Sequence, residues 1–311
     1  MSDARRTVVI DCDPGTDDAV ALWLAMASPE IDLRLVTVAG GNVGLDLTLA
    51  NARAVTGLAG RPVPVVGGAR RPILGEYRSE TNVHAVNGIG GITLPEGPPA
   101  APGIAADAIR ALLRDAAPGE VTLIGLGPAT NLALALAPEP ELFSRVREIV
   151  LMTGAWGEGN WTPSAEFNAA SDPEALAMVL ATGLPVSLVT LDLTAQALVT
   201  PEVIANLREA GSSRCLATAC DVLAAIPRSK RFNGRGTPLH DPCAVALVLW
   251  PELFTCREVS VTVECGEGPG RGRTHVDRWN RTGRQPHVTL AETLDAPTFF
   301  SRLGARLATL P

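Results

Sequence analysis

The chain has 311 residues, a length that suits one large α/β domain or two small domains and excludes a peptide or a fibrous repeat. Hydrophobic residues make up 46% and charged residues 19%, so the chain has ample material for a core and is not intrinsically disordered. Acidic residues outnumber basic residues 33 to 26, and the formal net charge of −7 argues against a nucleic-acid partner.

The sequence contains no recognisable membrane span or secretion signal. Its longest uncharged stretch, Val121 to Pro138, is interrupted by glycine, proline and asparagine, which indicates a strand followed by a helix. The N-terminal apolar run, Thr7 to Ile10, is too short for a signal peptide. The six cysteines form no CxxC pair, which favours reduced thiols and no structural zinc. We therefore expect a cytoplasmic protein without membrane contact.

Short runs of valine, leucine and isoleucine alternate with helix-like segments, the pattern of parallel βαβ units. The predicted strands are Thr7 to Cys12, Leu33 to Ala39, Val63 to Val66, Val121 to Leu126, Glu148 to Met152 and Pro185 to Leu191. The predicted helices are Asp17 to Ala27, Leu45 to Ala59, Ala129 to Ala137, Asp172 to Thr182 and Pro201 to Ala210. The expected fold is a single α/β domain over residues 1–311, with one open, mostly parallel twisted sheet flanked by helices and a Rossmann-like core.

Polar residues are concentrated where the predicted strands end. The first strand runs into DCDPGTDD, the second into GGN, the fourth into GLGPATN, the fifth into MTGAWGEGN and the sixth into Asp192. Because ligands bind beyond the carboxyl ends of the strands in open parallel sheets, we expect these loops to converge on one site.

Four carboxylates fall within the first of these loops, Asp11 to Asp18. Their repulsion costs several kcal/mol unless a cation or a helix N-terminus offsets it. Capping of the following helix explains Asp17 and Asp18 equally well, but it does not explain Asp11 and Asp13, because a strand end has no macrodipole. Several carboxylates and a carbonyl on a turn suit a hard cation, and they favour Ca²⁺ over Mg²⁺.

The segment DCDPGTDDAVAL resembles the signature of the nucleoside N-ribohydrolases, the inosine/uridine-preferring nucleoside hydrolase family. Further segments match that family in order: GGN ending at Asn42, HAVNGIGG from His84, GLGPATN ending at Asn131, LMTGAWGEGN from Leu151, AEFN from Ala165 and LHDPCAVA from Leu239. The resemblance implies the nucleoside hydrolase fold and Ca²⁺-dependent hydrolysis of ribonucleosides to free base and ribose. It also implies a homodimer or homotetramer.

The resemblance further implies roles for particular residues. Ca²⁺ would be held by Asp13, Asp18, Asp241 and the main-chain carbonyl of Leu126. Asp13 would also act as the general base, since a carboxylate beside the metal can take the proton of a water directly. Asp11 is interpreted as orienting the loop. His240 is expected to protonate or recognise the departing base, because an imidazole titrates near neutral pH and His240 directly precedes Asp241.

The family holds ribose with acids and amides that bind several hydroxyl groups at once. The matching positions, together with the neighbouring aromatic residue, are Asp17, Asn42, Asn160, Glu166, Phe167, Asn168 and Asp241. Met152 is expected to form a wall under the sugar, and core packing is the alternative explanation for it.

The sequence does not determine which nucleobase is preferred. His84 matches a second histidine of pyrimidine-active members, but Ala85 follows it where the family usually has glycine. Arg228 and Phe232 stand where pyrimidine-preferring members carry tyrosines. Purine-specific members stack the base between tryptophans, and the candidates here are Trp156, Trp161 and Trp279.

The basic run RSKR, residues 228–231, is interpreted as a solvated lid rather than an anion site. Two alternatives to nucleoside hydrolysis remain. One is a catalytically impaired protein that binds ribose or nucleoside on the same fold, and the other is a hydrolase of a related ribosyl compound.

Overall fold

The computed structural model describes residues 5–77, 79 and 81–311, except for the side chains of residues 81 and 82. Its strands are β1 (Arg6–Cys12), β2 (Ile31–Val38), β3 (Val65–Gly67), β4 (Val121–Gly125), β5 (Val146–Met152), β6 (Val186–Val189), β7 (Leu198–Val199), β8 (Thr237–Pro238), β9 (Phe254–Val263), β10 (Thr274–Asp277) and β11 (Val288–Leu294). Its helices are α1 (Thr16–Ala27), α2 (Leu45–Leu58), α3 (Thr81–His84), α4 (Ala105–Asp115), α5 (Thr130–Leu136), α6 (Phe167–Ser171), α7 (Pro173–Leu180), α8 (Leu191–Thr194), α9 (Pro201–Glu209), α10 (Arg214–Ala225), α11 (Asp241–Leu249) and α12 (Ala296–Leu307).

The main sheet has nine strands in the order β10-β9-β11-β6-β5-β4-β1-β2-β3. Every pairing from β11 to β3 is parallel, and the antiparallel pairings of this sheet are the two that β9 makes near one edge, with β11 and with β10. The predicted open, mostly parallel sheet flanked by helices is therefore confirmed. The strand order reverses between β1 and β4, which pair from Thr7 opposite Val121 to Asp11 opposite Gly125. Such a switch point is where α/β sheets bind ligands.

The central element of the core is α1, because all twelve of its residues are buried. It packs against α2, α10, α11 and α12 on one face of the sheet. The indole of Trp23 donates a hydrogen bond to the Val55 carbonyl of α2 (2.9 Å), so its one polar atom is satisfied inside the core. Since this helix is closely surrounded, the acids at its N-terminus are held firmly in place.

The strands and helices predicted from the sequence all exist, with ends that differ by at most two residues. At the end of β6 the prediction continued the strand to Leu191, whereas Leu191 begins α8, with its carbonyl accepting from Ala195 N (2.9 Å). Within the described part of the chain, no helix combines the length and apolar character that crossing a bilayer requires.

Candidate active site

A cavity of about 500 Å³ opens at the carboxyl edge of the sheet. Its inner wall consists mainly of residues from the strand-end loops and the first turns of α1 and α11: Asp17, Asn42, Leu126, Met152, Glu166, Asn168 and Asp241. All of these are buried. Its outer wall includes residues 226–232, here called the rim segment, in which Arg228, Lys230 and Arg231 are exposed. Four of the five strand-end segments expected to converge place polar residues or a backbone carbonyl at this cavity. The fifth does not: Asp192 instead accepts the backbone N–H groups of Trp156 (2.8 Å) and Gly157 (3.0 Å), and its neighbour Leu191 lines the cavity.

Three carboxylates form a cluster beneath this cavity. Asp17 and Asp18 lie in the first turn of α1, and Asp241 is the first residue of α11. One oxygen from each carboxylate lies within 4.8 Å of the others, and all three residues are buried. Burial, and then the charge of Asp17, raises the pKa of Asp18 to about 7 and that of Asp241 well above its usual range. The cluster therefore favours a positive charge in its midst.

Asp13 lies deeper, and its carboxylate is only half satisfied. Its Oδ2 accepts the backbone N–H of Asn42 at 2.7 Å, whereas its Oδ1 is buried without a hydrogen-bond partner. Burial, and then the charge of Asp18, raises the pKa of Asp13 well above the usual range. An orphaned buried carboxylate oxygen is costly in a protein and is explained by a ligand that the oxygen can bind.

Glycines shape the surroundings of Asp13. A Cβ atom at Gly41 would lie 2.1 Å from Asp13 Oδ2, and one at Gly127 would lie 2.5 Å from Oδ1. Gly41 lies in the GGN segment and Gly127 in the GLGPATN segment. In both segments the sequence analysis considered the asparagine and not the glycine. Gly41 and Gly127 leave the space that the Asp13 carboxylate occupies, a role that the sequence analysis did not identify.

The donor set fits a hard divalent cation. It consists of oxygen atoms: the clustered carboxylates, the orphaned Oδ1 of Asp13 and the Leu126 carbonyl, which accepts one bond from Asn168 Nδ2 (2.7 Å) and keeps a second lone pair. The group of three carboxylates in the structure is not the same as the predicted set of ligands, Asp13, Asp18, Asp241 and the Leu126 carbonyl. It groups Asp18 and Asp241 with Asp17, which was assigned to ribose, and Asp13 joins Asp18 through its backbone N–H (3.2 Å).

Asp11 belongs to a separate hydrogen-bond network that joins β1 to β2, to α5 and to the loop after β3. It accepts hydrogen bonds from Thr37 Oγ1 (2.6 Å) and Asn131 Nδ2 (2.8 Å), and Asn131 Oδ1 in turn accepts from Ala69 N (2.9 Å). Burial raises the pKa of Asp11 to about 7, against these two hydrogen bonds. These contacts hold the end of β1 against β2 and α5, and the expected role of Asp11 in orienting the following loop stays a prediction.

Glu166 organises the loop after β5. Its carboxylate accepts from the N–H groups of Asn168 (2.8 Å), Ala169 (2.9 Å) and Gly154 (2.9 Å) and from Thr153 Oγ1 (3.2 Å), so it caps α6 while lining the cavity. Burial raises its pKa in spite of these bonds.

Two of the three amides predicted to bind ribose, Asn160 and Asn168, are held beside Glu166. Asn160 Oδ1 accepts from Phe167 N (2.9 Å), and Asn168 Nδ2 donates to the carbonyls of Leu126 and Met152 (2.7 and 3.0 Å). The side chains predicted for ribose thus line one cavity in fixed orientations.

Both candidate histidines reach the cavity. His240 caps α11, and its Nδ1 lies 2.7 Å from the Thr194 hydroxyl. Burial lowers the pKa of His240; the Asp17 carboxylate opposes this, and the charges of His84 and Arg231 add to it. His84 Nδ1 accepts the backbone N–H of Thr16 at 3.2 Å, so its proton in the neutral ring lies on Nε2. Thr16 and Thr194 were not identified from the sequence, because a lone threonine carries no signal.

The aromatic candidates for stacking lie elsewhere. Trp161 packs edge-on against Phe167 at 5.3 Å, Trp156 lies beneath the Arg278 guanidinium at 4.7 Å, and Trp279 is 73% exposed. None of these three lines the cavity, whereas Phe232 of the rim segment does. The basic run predicted to be a solvated lid is exposed, and it also lines the cavity.

Comparison with known proteins gives one consistent result. The profile described as inosine-uridine preferring nucleoside hydrolase matches residues 8–301. The pyrimidine-specific ribonucleoside hydrolase RihA of Klebsiella pneumoniae is 42% identical over 306 residues, which cover 97% of this chain and 98% of that protein.

Solved structures agree with the sequence relatives. A purine-preferring ribonucleoside hydrolase from Gardnerella vaginalis superposes with a TM-score of 0.89 at 30% identity, covering 97% of this chain and 98% of the other. A plant nucleoside hydrolase superposes with a TM-score of 0.91 at 30% identity, covering 98% of this chain and 99% of the other.

Proposed function

The chain belongs to the inosine-uridine preferring nucleoside hydrolase family and is a nucleoside hydrolase, and from that premise we propose that it cleaves the N-glycosidic bond of ribonucleosides with the help of bound Ca²⁺. In this reaction the bond between C1′ and the base nitrogen breaks and the oxygen of water bonds to C1′. The proton that the water loses balances the proton that the base gains. The products are ribose and the free base.

The observation that carries the proposal is the buried acidic cluster at the inner wall of the cavity. Asp17, Asp18 and Asp241 share one small volume, and the orphaned Asp13 Oδ1 lies buried in the same loop. Unpaired carboxylates buried this closely are expensive without a cation. The neighbouring amides and Glu166 supply donors and acceptors in fixed positions, as a polyhydroxylated ligand requires.

Each residue of the site has a separate role in this reaction. Ca²⁺, when bound, would supply positive charge that acidifies water and orients the sugar hydroxyl groups, and Asp13, Asp18, Asp241 and the Leu126 carbonyl would hold it. Asp13 accepts the proton of the attacking water. The acidic inner wall stabilises the positive charge that develops on the ribosyl group. His240, which also lines the cavity, donates a proton toward the base.

For the base we propose pyrimidines as the preferred class. Relatives described as pyrimidine-specific share about 41% identity with nearly the whole chain, whereas the purine-preferring structure shares 30%. The stacking tryptophans that a purine site of this family would use do not line the cavity. Arg228 and Phe232 still differ from the tyrosines of pyrimidine-preferring members, so recognition of the base here depends on other groups.

The test is release of reducing sugar from uridine, cytidine, inosine and adenosine. Protein stripped with chelator is compared with the same protein after addition of Ca²⁺ or Mg²⁺. We expect turnover of uridine and cytidine that chelator abolishes and Ca²⁺ restores. Asp13→Ala, prepared in parallel, should lose turnover by a factor of about 1,000 or more and so exclude a contaminating hydrolase. Release from none of the four nucleosides would overturn hydrolysis, and full activity in chelator would overturn the role of Ca²⁺.

A further inference from the structure

The cavity is electrically polarised between its inner and outer ends. The inner wall carries Asp17, Glu166 and Asp241, all buried, and the outer rim segment carries Arg228, Lys230 and Arg231 within four positions. Among the described residues, carboxylates form an ion pair with only one of these cations, Arg231, whose Nε lies 3.6 Å from Glu158 Oε2. Three cations at the mouth of one cavity contrast with the formal charge of −7 for the whole chain.

Asp17, His240 and Arg231 all line this one cavity. A nucleoside bound there therefore meets a buried carboxylate and an exposed guanidinium in the same site. Arg231 also lies over Phe232, with its Cζ 5.9 Å from the ring centroid, and contacts the Glu158 carbonyl through Nη1 at 3.5 Å. Its guanidinium is therefore held beside the cavity.

Cleavage of a glycosidic bond separates charge, with the positive charge on the sugar and the negative charge on the base. This matches a sugar at the acidic inner wall and a base at the basic rim segment. When the bond between C1′ and the base nitrogen breaks, its electron pair remains on the base, which leaves as an anion, and C1′ becomes positive. Water then bonds to C1′ and loses a proton, while the base anion takes up one. An acidic wall around the sugar and a basic segment around the base stabilise both halves of this transition state.

On the basis of the proposed function, we infer that the rim segment is catalytic, and that Arg231, assisted by Arg228, stabilises the departing nucleobase as an anion. This assignment gives both rim arginines a role at the cavity that they line. It also defines the substrate class: ribonucleosides whose base leaves as a stabilised anion, of which uridine is the simplest.

The experiment compares uridine with 5-fluorouridine in wild type, Arg231→Met and Arg231→Lys. Fluorine withdraws electrons from the ring, so the fluorouracil anion needs less help from the protein. We expect Arg231→Met to lower kcat/KM for uridine about 10-fold to 100-fold and to lower it several-fold less for 5-fluorouridine. Arg231→Lys keeps the positive charge and should recover most of the uridine activity.

Arg235→Met is the matched control, because Arg235 lies in the same loop but does not line the cavity. It should behave as wild type. Equal losses on both substrates, or a Lys variant as impaired as the Met variant, would overturn the inference while leaving nucleoside hydrolysis intact. A wild-type protein inactive on both nucleosides would overturn the proposed function and this inference with it.

Discussion

Single residues around Asp13 show how closely backbone and carboxylate are fitted. Asn42 N holds Oδ2 of that carboxylate at 2.7 Å, and Gly41 lies against the same oxygen. A side chain at Gly41 has no room, although the backbone φ there lies in a region that other residues adopt. The absence of a Cβ therefore matters for contact rather than for conformational freedom.

Gly41→Ala should disable the site while leaving most of the fold in place. The new Cβ, 2.1 Å from Asp13 Oδ2, forces the carboxylate to move, and a displacement of this kind costs about 100-fold in kcat. Steady-state kinetics with uridine and Ca²⁺ measures the effect. Gly44→Ala is the control, since nothing lies within 4 Å of a Cβ at that position in the same loop. Wild-type kcat in Gly41→Ala would show that Asp13 does not need its present position.

The residues that could be predicted at this scale are those with chemically distinctive side chains in a motif. Asp13 was singled out from the residues alone, because a strand end offers a carboxylate no macrodipole. The roles expected of Asp18, Asp241 and His240 came from the resemblance of their motifs to the family. Thr194, whose hydroxyl meets His240 at 2.7 Å, comes from α8, 46 positions earlier in the chain. No local pattern links two residues so far apart, so only the folded structure could reveal that contact.

Among the elements, α3 ends in an unusual way. Ala85 follows it directly with φ of 59°, in the left-handed region where the family usually has glycine. The conformation brings the chain around so that Gly90 N can donate to the His84 carbonyl at 2.9 Å. The departure from glycine noted in the sequence is therefore accommodated by strain, and His84 still reaches the cavity.

Ala85→Gly should stabilise the protein. A Cβ in this conformation costs roughly 1–2 kcal/mol, whereas the greater freedom of glycine in the unfolded chain costs about 0.4–1 kcal/mol. We expect the free energy of unfolding to rise by roughly 0.5–1 kcal/mol, measured by urea denaturation at fixed Ca²⁺. Asn280→Gly, at φ of 50°, should gain less because asparagine tolerates this region. A destabilised Ala85→Gly would contradict the account.

Strands β1 to β6 of the parallel sheet could be predicted, because burial on both faces leaves a simple apolar signature, as in β1 and β4. Strand β11 pairs with β6 in parallel but was not predicted, since several of its residues are only partly buried and its sequence, VTLAETL, includes polar residues. The antiparallel strand β9 was missed, since its first half is largely exposed and its sequence, FTCREVSVTV, mixes polar and apolar residues. The rim segment was read from its charge as a lid. The charge pattern correctly indicated exposure, but it could not show that the same side chains line a cavity.

The molecule as a whole buries an acidic site that opposes folding when no cation is present. Burial raises the pKa values of Asp11 and Asp18 to about 7, far above the 3.8 of an unperturbed aspartate. A carboxyl whose pKa is raised by folding contributes stability while it is protonated and loses that contribution as the pH rises through the folded-state pKa. Stability at neutral pH should therefore depend on the ion more than stability at pH 5 does.

Thermal unfolding in chelator and in Ca²⁺ between pH 5 and pH 8 tests this coupling. In chelator, Tm should fall as the pH rises from 5 toward about 7, because over this interval the unfolded chain releases protons that the buried carboxyls of the folded chain retain. In Ca²⁺ at roughly 100 times its Kd, binding adds about 2.7 kcal/mol to the free energy of unfolding. This corresponds to a rise in Tm on the order of 5 °C. The gap between the two curves should thus be small at pH 5 and widen toward pH 8. The difference between Tm in Ca²⁺ and Tm in chelator removes the effect of groups that titrate identically in both conditions. If this difference stays constant or becomes smaller as the pH rises, the buried acids are not the site of the ion.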